Sequence, residues 1–342
     1  MLTVSLTFVG LAAVIVSAAM FLAKFGDEIA ERTGLGGSVT GLVLLAGATS
    51  LPELSVGYSA IAIGADDITA GGILGSSLVN LLILALVDLI SRKPGQIWTR
   101  SAADHALSAI VGALLTGLIL LGILLDNEWT WLCVGPCSWA AIVAYALCAR
   151  LIYLDEKEGT KPESKEDEEK SSDIKGILLN FAGFLTATAV IFFVAPMVAS
   201  CADQIAEASG LGRTFIGTLL VAAVTSLPEA VSTIAAVRMG AVDMAIGNIF
   251  GSNAFNMVIL ASLDFATNTS LLSAIAETHA ITATCVLLTT AVGLMCILYQ
   301  PKKRWWLFEP DALLIAFMVV GALYLVYVYG QVEPGAVLPA VP

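Results

Sequence analysis

The chain has 342 residues, of which 58% are hydrophobic and only 13% are charged, and its mean hydropathy is +0.90. A soluble protein carries about a quarter charged residues, so this composition excludes an ordinary soluble enzyme and indicates an integral membrane protein. The 16 lysines and arginines lie between apolar runs, which excludes a nucleic-acid-binding surface.

Ten apolar runs follow one another along the chain, and each is long enough to cross a bilayer, which takes about 20 residues per helix. They lie at about 3–24, 37–63, 69–90, 104–125, 129–153, 175–199, 213–239, 244–264, 272–299 and 310–330. The first could instead be a secretory signal, but it has no positively charged start and its end aligns with a segment in mid-chain. We therefore predict ten transmembrane helices.

A charged segment, "DEKEGTKPESKEDEEKSSD" from Asp155 to Asp173, separates the fifth and sixth runs. It has no apolar face, so we predict a solvated and disordered linker. A calcium-sensing loop is the alternative, but the spaced ligand pattern of such a loop is missing. The predicted organisation is a first five-helix repeat over residues 1–153, an acidic cytoplasmic linker over 154–174 and a second five-helix repeat over 175–342.

The two halves are internal repeats. Shifting the sequence by 176 positions places Phe21–Leu89 on Met197–Phe265, and 29 of the 69 aligned positions are then identical without a gap. Five helices per half is an odd number, so the second half enters the membrane from the opposite side. If both termini lie outside, 15 of the 16 lysines and arginines lie inside and only Arg213 lies outside, as the positive-inside rule favours.

The motif Thr-Ser-Leu-Pro-Glu occurs once in each half, in the second and seventh apolar runs. Pro52 and Pro228 each remove a backbone donor, so we predict that helices 2 and 7 are broken here. At membrane depth, carbonyls freed by a break are tolerated only where they line a cavity or bind something. Inverted repeats with such broken helices are typical of transporters, whose substrate site lies near the midplane.

Oxygen-bearing side chains surround both breaks. Glu53 and Glu229 supply carboxylates, and an unpaired charge at the bilayer centre costs about 3 kcal/mol or more. Neighbouring hydroxyls come from Thr49, Ser50, Thr225 and Ser226. These hard oxygens suit Ca²⁺, Mg²⁺, Mn²⁺ or Na⁺. The alternative is a pair of protonated glutamates that hold helices together.

A second repeated motif follows each break. In "GNIFGSNAFN", Gly247 to Asn256, the spacing of Ser252 and Asn256 places both on one helix face, and their counterparts in the first half are Ser76 and Asn80. We predict that both asparagines line an ion path. The glycines of the motifs favour close helix packing, namely Gly71, Gly75, Gly247 and Gly251.

Other polar residues are weaker signals. His105 and His279 lie near predicted helix starts, where interfacial packing is expected and a proton role stays open. Asp88 and Asp264 match in register at helix ends, so we expect them to be solvated. The six cysteines show no metal or disulfide pattern.

The double occurrence of "TSLPE" and "GNxxGSNxFN"-like motifs in an inverted five-plus-five frame resembles the calcium/cation antiporter superfamily, and most closely its sodium/calcium exchanger branch. The resemblance implies exchange of Ca²⁺ for Na⁺ by alternating access, with helices 1 and 6 sliding across the rest. It implies that Ca²⁺ and Na⁺ are bound by Thr49, Ser50, Glu53, Ser76, Asn80, Thr225, Ser226, Glu229, Ser252 and Asn256, together with the backbone carbonyls of Ala46 and Ala222.

The chain departs from the family pattern at a few motif positions. Gly72, Ser77 and Leu78 stand where the second half has Asn248, Asn253 and Ala254. Some relatives carry Asp at the last motif position of one half, where this chain has asparagine in both. Its centre then holds two carboxylates, whose charge matches one Ca²⁺.

We expect Na⁺ as the coupling ion, because Na⁺ needs several neutral oxygens whereas a proton needs only a carboxylate. The alternative is an H⁺-coupled antiporter of Ca²⁺ or another divalent cation. A channel and an intramembrane hydrolase compete with both, but paired broken helices and a shell of hydroxyls and amides disfavour them. We expect a non-enzymatic protein of the plasma or inner membrane with both termini outside, no cofactor, no obligatory protein partner, and contacts only with its ions and the lipid bilayer.

Overall fold

The computed structural model describes residues 2–32, 47, 49–90, 106–159, 174–240, 242–267, 269–298 and 310–330. These residues are almost entirely helical, and the bridge between Trp131 and Val134 is the one strand-like pairing among them. The helices of the first half are α1 Leu2–Arg32, α2 Leu51–Ala62, α3 Asp66–Ile90, α4 Ala106–Leu125 and α5 Pro136–Gly159. Those of the second half are α6 Ile174–Ser209, α7 Arg213–Thr225, α8 Leu227–Arg238, α9 Val242–Ser262, α10 Leu271–Ala274, α11 Thr278–Leu298 and α12 Pro310–Tyr329.

The protein is a multi-pass membrane protein. Within the described residues, seven helices are long and apolar enough to span a bilayer, and the bent pair α7 and α8 makes an eighth. The 12 residues of α2 and the apolar stretch Pro136–Leu151 of α5 are shorter. Residues 33–46, which precede α2, lie outside the described residues. The count of ten spans therefore stays a prediction.

Part of the segment predicted as a disordered linker is helical. Helix α5 continues to Gly159, because the glutamates and lysines that follow its apolar part are good helix formers. The remainder of the linker, 160–173, lies outside the described residues.

The break in the seventh apolar run is confirmed. Helices α7 and α8 meet at an angle of 45°, and Ser226 between them has φ −83° and ψ 0°. Ser50 precedes α2 with φ −90° and ψ 7°, so the two motifs share one local geometry. Both helices then carry proline in their first turn. Each of them ends in a tight turn with a glycine at positive φ, 70° at Gly64 and 82° at Gly240.

Helices α3 and α9 are the most buried of the long apolar helices in the described part of the chain, and α3 packs closely against α7. A Cβ atom at Gly71 would lie 2.8 Å from the Thr214 carbonyl oxygen, and one at Gly217 would lie 2.8 Å from the Ile68 oxygen. Helix α7 contains a π-helical stretch over Gly217–Val221, a distortion often found at functional sites. The packing role predicted for the motif glycines is thus confirmed for Gly71 and Gly75. It is wrong for Gly251, where a Cβ would meet no described atom within 4 Å.

The expectation of solvated aspartates at helix ends is wrong. Asp88 and Asp264 are both fully buried. The Asp264 carboxylate accepts hydrogen bonds from the backbone N–H groups of Gly135, at 2.8 Å, and Leu271, at 2.7 Å. It therefore ties two loops to the end of α9.

The second histidine is also buried. His279 Nε2 lies 3.1 Å from Asp67 Oδ1, and the same oxygen accepts the Ala276 N–H at 2.8 Å. This pair joins the start of α3 to the start of α11. The other histidine, His105, lies outside the described residues.

Candidate functional site

Both motif glutamates lie in the protein interior, in the first turns of α2 and α8. Glu53 is 3% exposed and Glu229 is fully buried. None of their four carboxylate oxygens has a hydrogen-bond partner of standard geometry among the described residues. The two side chains are close enough to repel each other electrostatically, and Thr49 lies beside Glu229. The fold has therefore brought together two carboxylates that are 176 residues apart.

Hydroxyl groups from the two halves meet beside Glu53. Ser76 Oγ of α3 lies 3.0 Å from Thr225 Oγ1 of α7, and both hydroxyls lie beside the Glu53 carboxyl. Ser226 Oγ is 3.5 Å from the Ser76 carbonyl oxygen. The structure thus joins three of the predicted hydroxyl residues at one point.

The remaining predicted hydroxyls and amides are also buried. The hydroxyls of Ser50 and Ser252 have no partner among the described residues, and neither does Asn80 Oδ1. Asn256 Oδ1 and Nδ2 also have no hydrogen-bond partner among the described residues. The Asn80 Nδ2 group, by contrast, donates to Asn253 Oδ1 at 3.0 Å.

Most of the buried polar atoms without partners belong to the predicted ligand residues. Of the 13 such side-chain atoms in the described part of the chain, nine belong to residues predicted as ligands. Burying a polar group without a partner costs about 1–3 kcal/mol, so a concentration of oxygens of this kind indicates a site that is satisfied by a ligand. The oxygens come from six residues, namely Ser50, Glu53, Asn80, Glu229, Ser252 and Asn256.

The side-chain atoms available to bind a cation at this site are hard oxygen donors. No group of three or more His, Cys, Asp or Glu side chains that could hold a metal occurs in the described ranges. Two carboxylates with neutral hydroxyl and amide oxygens instead match hard cations such as Ca²⁺ and Na⁺.

Of the two carbonyl groups predicted as ligands, only that of Ala222 belongs to the described residues. Ala46 lies outside the described residues. The Ala222 carbonyl oxygen accepts the Ser226 N–H at 3.0 Å, and the Thr225 hydroxyl lies 3.5 Å from the same oxygen, so the break does not free it. The Ser226 carbonyl is likewise used by the Ala230 N–H at 3.0 Å.

Two cavities help to locate the site. A small cavity of about 10 Å³ adjoins Glu53 and Thr225, with apolar walls that include Val56 and Ile73. A larger groove of about 650 Å³ lies between α1 and α6, is mostly apolar and contains none of the predicted ligands. The small cavity is therefore the one associated with the polar cluster.

The sequence did not predict the contacts of two further buried amides. Asn253 contacts Asn80, and Asn248 Nδ2 donates to Ser232 Oγ at 2.9 Å and Thr233 Oγ1 at 3.1 Å. Both asparagines stand where the first half has a smaller residue. The difference between the two halves at these positions, inside an otherwise repeated motif, was the sequence signal that could have pointed to these asparagines.

Comparison with known proteins gives consistent matches. The family model described as "Sodium/calcium exchanger protein" matches residues 3–154 and 179–333. Inner membrane protein YrbG of Escherichia coli (strain K12) is 29% identical over 266 residues, which make up 77% of this chain and 79% of that protein.

Two kinds of solved structure share the fold. The sodium-calcium exchanger NCX_Mj, soaked with 10 mM Na⁺ and zero Ca²⁺, matches 95% of this chain and 99% of its own with a TM-score of 0.60 at 17% identity. The H⁺/Ca²⁺ exchanger CAX matches 96% of this chain and 88% of its own with a TM-score of 0.65 at 14% identity.

Proposed function

The chain belongs to the sodium/calcium exchanger family, and on this premise we propose that it is a secondary cation antiporter that exchanges Ca²⁺ for Na⁺ by alternating access. The observation that carries the proposal is the group of nine buried, unpartnered polar atoms, which belong to the two carboxylates and their neighbours. A cation bound there would satisfy the oxygens among them at once.

The proposed ligands divide into charged and neutral oxygens. Glu53 and Glu229 provide two negative charges, which balance one Ca²⁺. The neutral oxygens are proposed to come from Thr49, Ser50, Ser76, Asn80, Thr225, Ser226, Ser252 and Asn256, and from the carbonyls of Ala46 and Ala222. Calcium takes six to eight oxygens in flexible geometry, so different subsets can serve Ca²⁺ and Na⁺.

The proposed frame is ten helices in two inverted halves, residues 1–153 and 175–342, joined by a cytoplasmic linker, with both termini outside the cell membrane. The matching conformations of Ser50 and Ser226 and the matching turns at Gly64 and Gly240 support the equivalence of the halves. In such a frame the two breaks meet near the midplane, where the site alternates between the two sides.

Sodium is the proposed coupling ion because the site is rich in neutral oxygens. The hydroxyls of Ser76 and Thr225 are already 3.0 Å apart, which is a distance at which two oxygens can coordinate one ion. The fold is shared with an exchanger of each type and therefore does not favour either ion.

Proton coupling is the alternative. The contact between His279 Nε2 and Asp67 Oδ1 at 3.1 Å is the observation that favours it, since imidazole and carboxylate side chains can both carry a proton. The pair belongs to the starts of α3 and α11, whereas the oxygen cluster lies further along α3. We therefore place Na⁺ first.

The decisive experiment is Ca²⁺ uptake into proteoliposomes. We expect uptake into vesicles loaded with Na⁺, and no uptake driven by a pH gradient in Na⁺-free choline buffer. Dissipating the Na⁺ gradient with an ionophore should abolish uptake, which also separates an antiporter from a channel. Uptake that follows the pH gradient and ignores Na⁺ would assign the protein to proton coupling, and the Glu229→Gln variant provides the inactive control.

A further inference from the structure

The orientation of the Asn253 side chain is fixed by the backbone. Its Nδ2 group lies 3.1 Å from the carbonyl oxygen of Ser77. A backbone carbonyl can only accept a hydrogen bond, so this end of the amide must be the NH₂ group. The Oδ1 atom therefore faces the other way, and Asn253 is 4% exposed, so water does not compete for it.

The orientation of Asn80 follows from that of Asn253. Asn253 Oδ1 can only accept, so the atom of Asn80 at 3.0 Å must be the donor Nδ2. The Asn80 carbonyl oxygen then points away from this contact. That oxygen is buried and has no partner among the described residues, which makes it the free ligand of the pair.

We propose that Asn253 is a positioning residue, which engages the NH₂ group of Asn80 and thereby presents the Asn80 carbonyl oxygen to the transported cation. The inference rests on the proposed function, since it needs a cation at the site. Without Asn253, the Asn80 amide could rotate by half a turn and direct its partly positive NH₂ group at the ion.

The same support is missing on the other side of the repeat. Ser77 occupies the position that corresponds to Asn253, and its hydroxyl bonds back to the Ile73 carbonyl at 3.4 Å. Asn256 has no partner for either amide atom among the described residues. Asn253 therefore acts on the amide of the first half only, and the two halves contribute unequal ligands.

A double-mutant cycle tests this inference. Asn253→Ala and Asn80→Ala should each raise the apparent KM for Ca²⁺ about five- to tenfold, the range expected for one buried hydrogen bond or neutral ligand, with the maximal rate nearly unchanged. If Asn253 acts through Asn80, the double variant should be no worse than Asn80→Ala alone.

Asn248→Ala is the matched control. This asparagine lies on the same helix, is also buried and also donates two hydrogen bonds, but none of those bonds involves Asn80. Its effect should therefore add to that of Asn80→Ala. Additive effects for Asn253→Ala as well would overturn the inference and leave Asn253 as a packing residue.

A binding measurement separates failure of this inference from failure of the proposed function. Isothermal titration of purified protein with Ca²⁺ should give the same pattern of affinities as transport. If the wild-type protein binds no Ca²⁺, the proposed function is wrong, and the inference fails with it. If Asn253→Ala does not fold, Asn253→Asp is the second variant. In its protonated form this side chain keeps the acceptor for Asn80 and an O–H donor for the Ser77 carbonyl, so it should retain Ca²⁺ binding. Loss of folding in both variants would mark a structural role and contradict the inference.

Discussion

Substituting Gly75 by alanine should disturb the crossing of α3 and α7 on which the site depends. The new Cβ would lie 2.5 Å from the Thr218 carbonyl oxygen, 2.7 Å from Thr218 Cα and 2.8 Å from Ala222 Cβ. None of these atoms belongs to a flexible side chain, so a helix must move. Restoring an ordinary contact of 3.4 Å requires a separation of about 0.9 Å.

Moving α3 and α7 apart would lower the stability of the protein and would also disturb the site. Overpacking of this size destabilises a protein by about 1–3 kcal/mol. The neighbouring residue Ser76 carries the hydroxyl that lies 3.0 Å from Thr225, and a shift of that size would break this contact. We therefore expect Gly75→Ala to lose most Ca²⁺ transport even in the molecules that remain folded.

Thermal unfolding in detergent, with and without Ca²⁺, should be measured beside proteoliposome flux. Gly10→Ala and Gly321→Ala are the matched controls, because neither Cβ would meet a described atom within 4 Å, and alanine is the better helix former. Both controls should unfold at or above the wild-type temperature and transport normally. A Gly75→Ala protein with wild-type stability and flux would refute the reasoning.

Three further predictions follow from the site and the frame. Glu53→Gln and Glu229→Gln each keep the shape of the side chain but remove one of two charges from a divalent site, so each should lower Ca²⁺ affinity at least about a hundredfold; near-normal flux in either would exclude a shared site. In a background without native cysteines, Glu128→Cys and Ser164→Cys should react with impermeant thiol reagents from opposite sides of the membrane, and labelling from one side would exclude the inverted frame. His279→Ala should lower the free energy of unfolding by about 1–3 kcal/mol because it removes a buried imidazole that contacts the partly buried Asp67 carboxylate, whereas an unchanged melting profile would mean that the pair is not stabilising.

The location of the site could be predicted from sequence because polar residues are rare in this chain. Glu53 and Glu229 lie in apolar runs. A carboxylate at such a position either destabilises the protein or has a functional role. Proline fixes where the helices begin, so the serines before it were recognisable as the points of the breaks. The repeat then related the two motifs without any knowledge of their distance in space.

Features that depend on long-range packing could not be predicted in this way. The partner of Asn253 is the backbone of Ser77, which is 176 residues earlier, and no local pattern reports such a contact. No residue pattern in the sequence predicts the π-helical stretch of α7 over Gly217–Val221. The burial of Asp264 was missed because a helix end was equated with solvent, while the loops that fold over it are not visible in the sequence.

The lengths of α1 and α6 have a consequence for the surrounding lipid. Their 31 and 36 residues correspond to about 46 and 54 Å at 1.5 Å per residue, whereas the hydrocarbon core of a bilayer is about 30 Å thick. These two helices pack mainly on each other, so they can meet a change in membrane thickness by tilting as a pair. A change in bilayer thickness would therefore change the angle between this helix pair and the central helices. Each ångström of mismatch costs fractions of a kcal/mol.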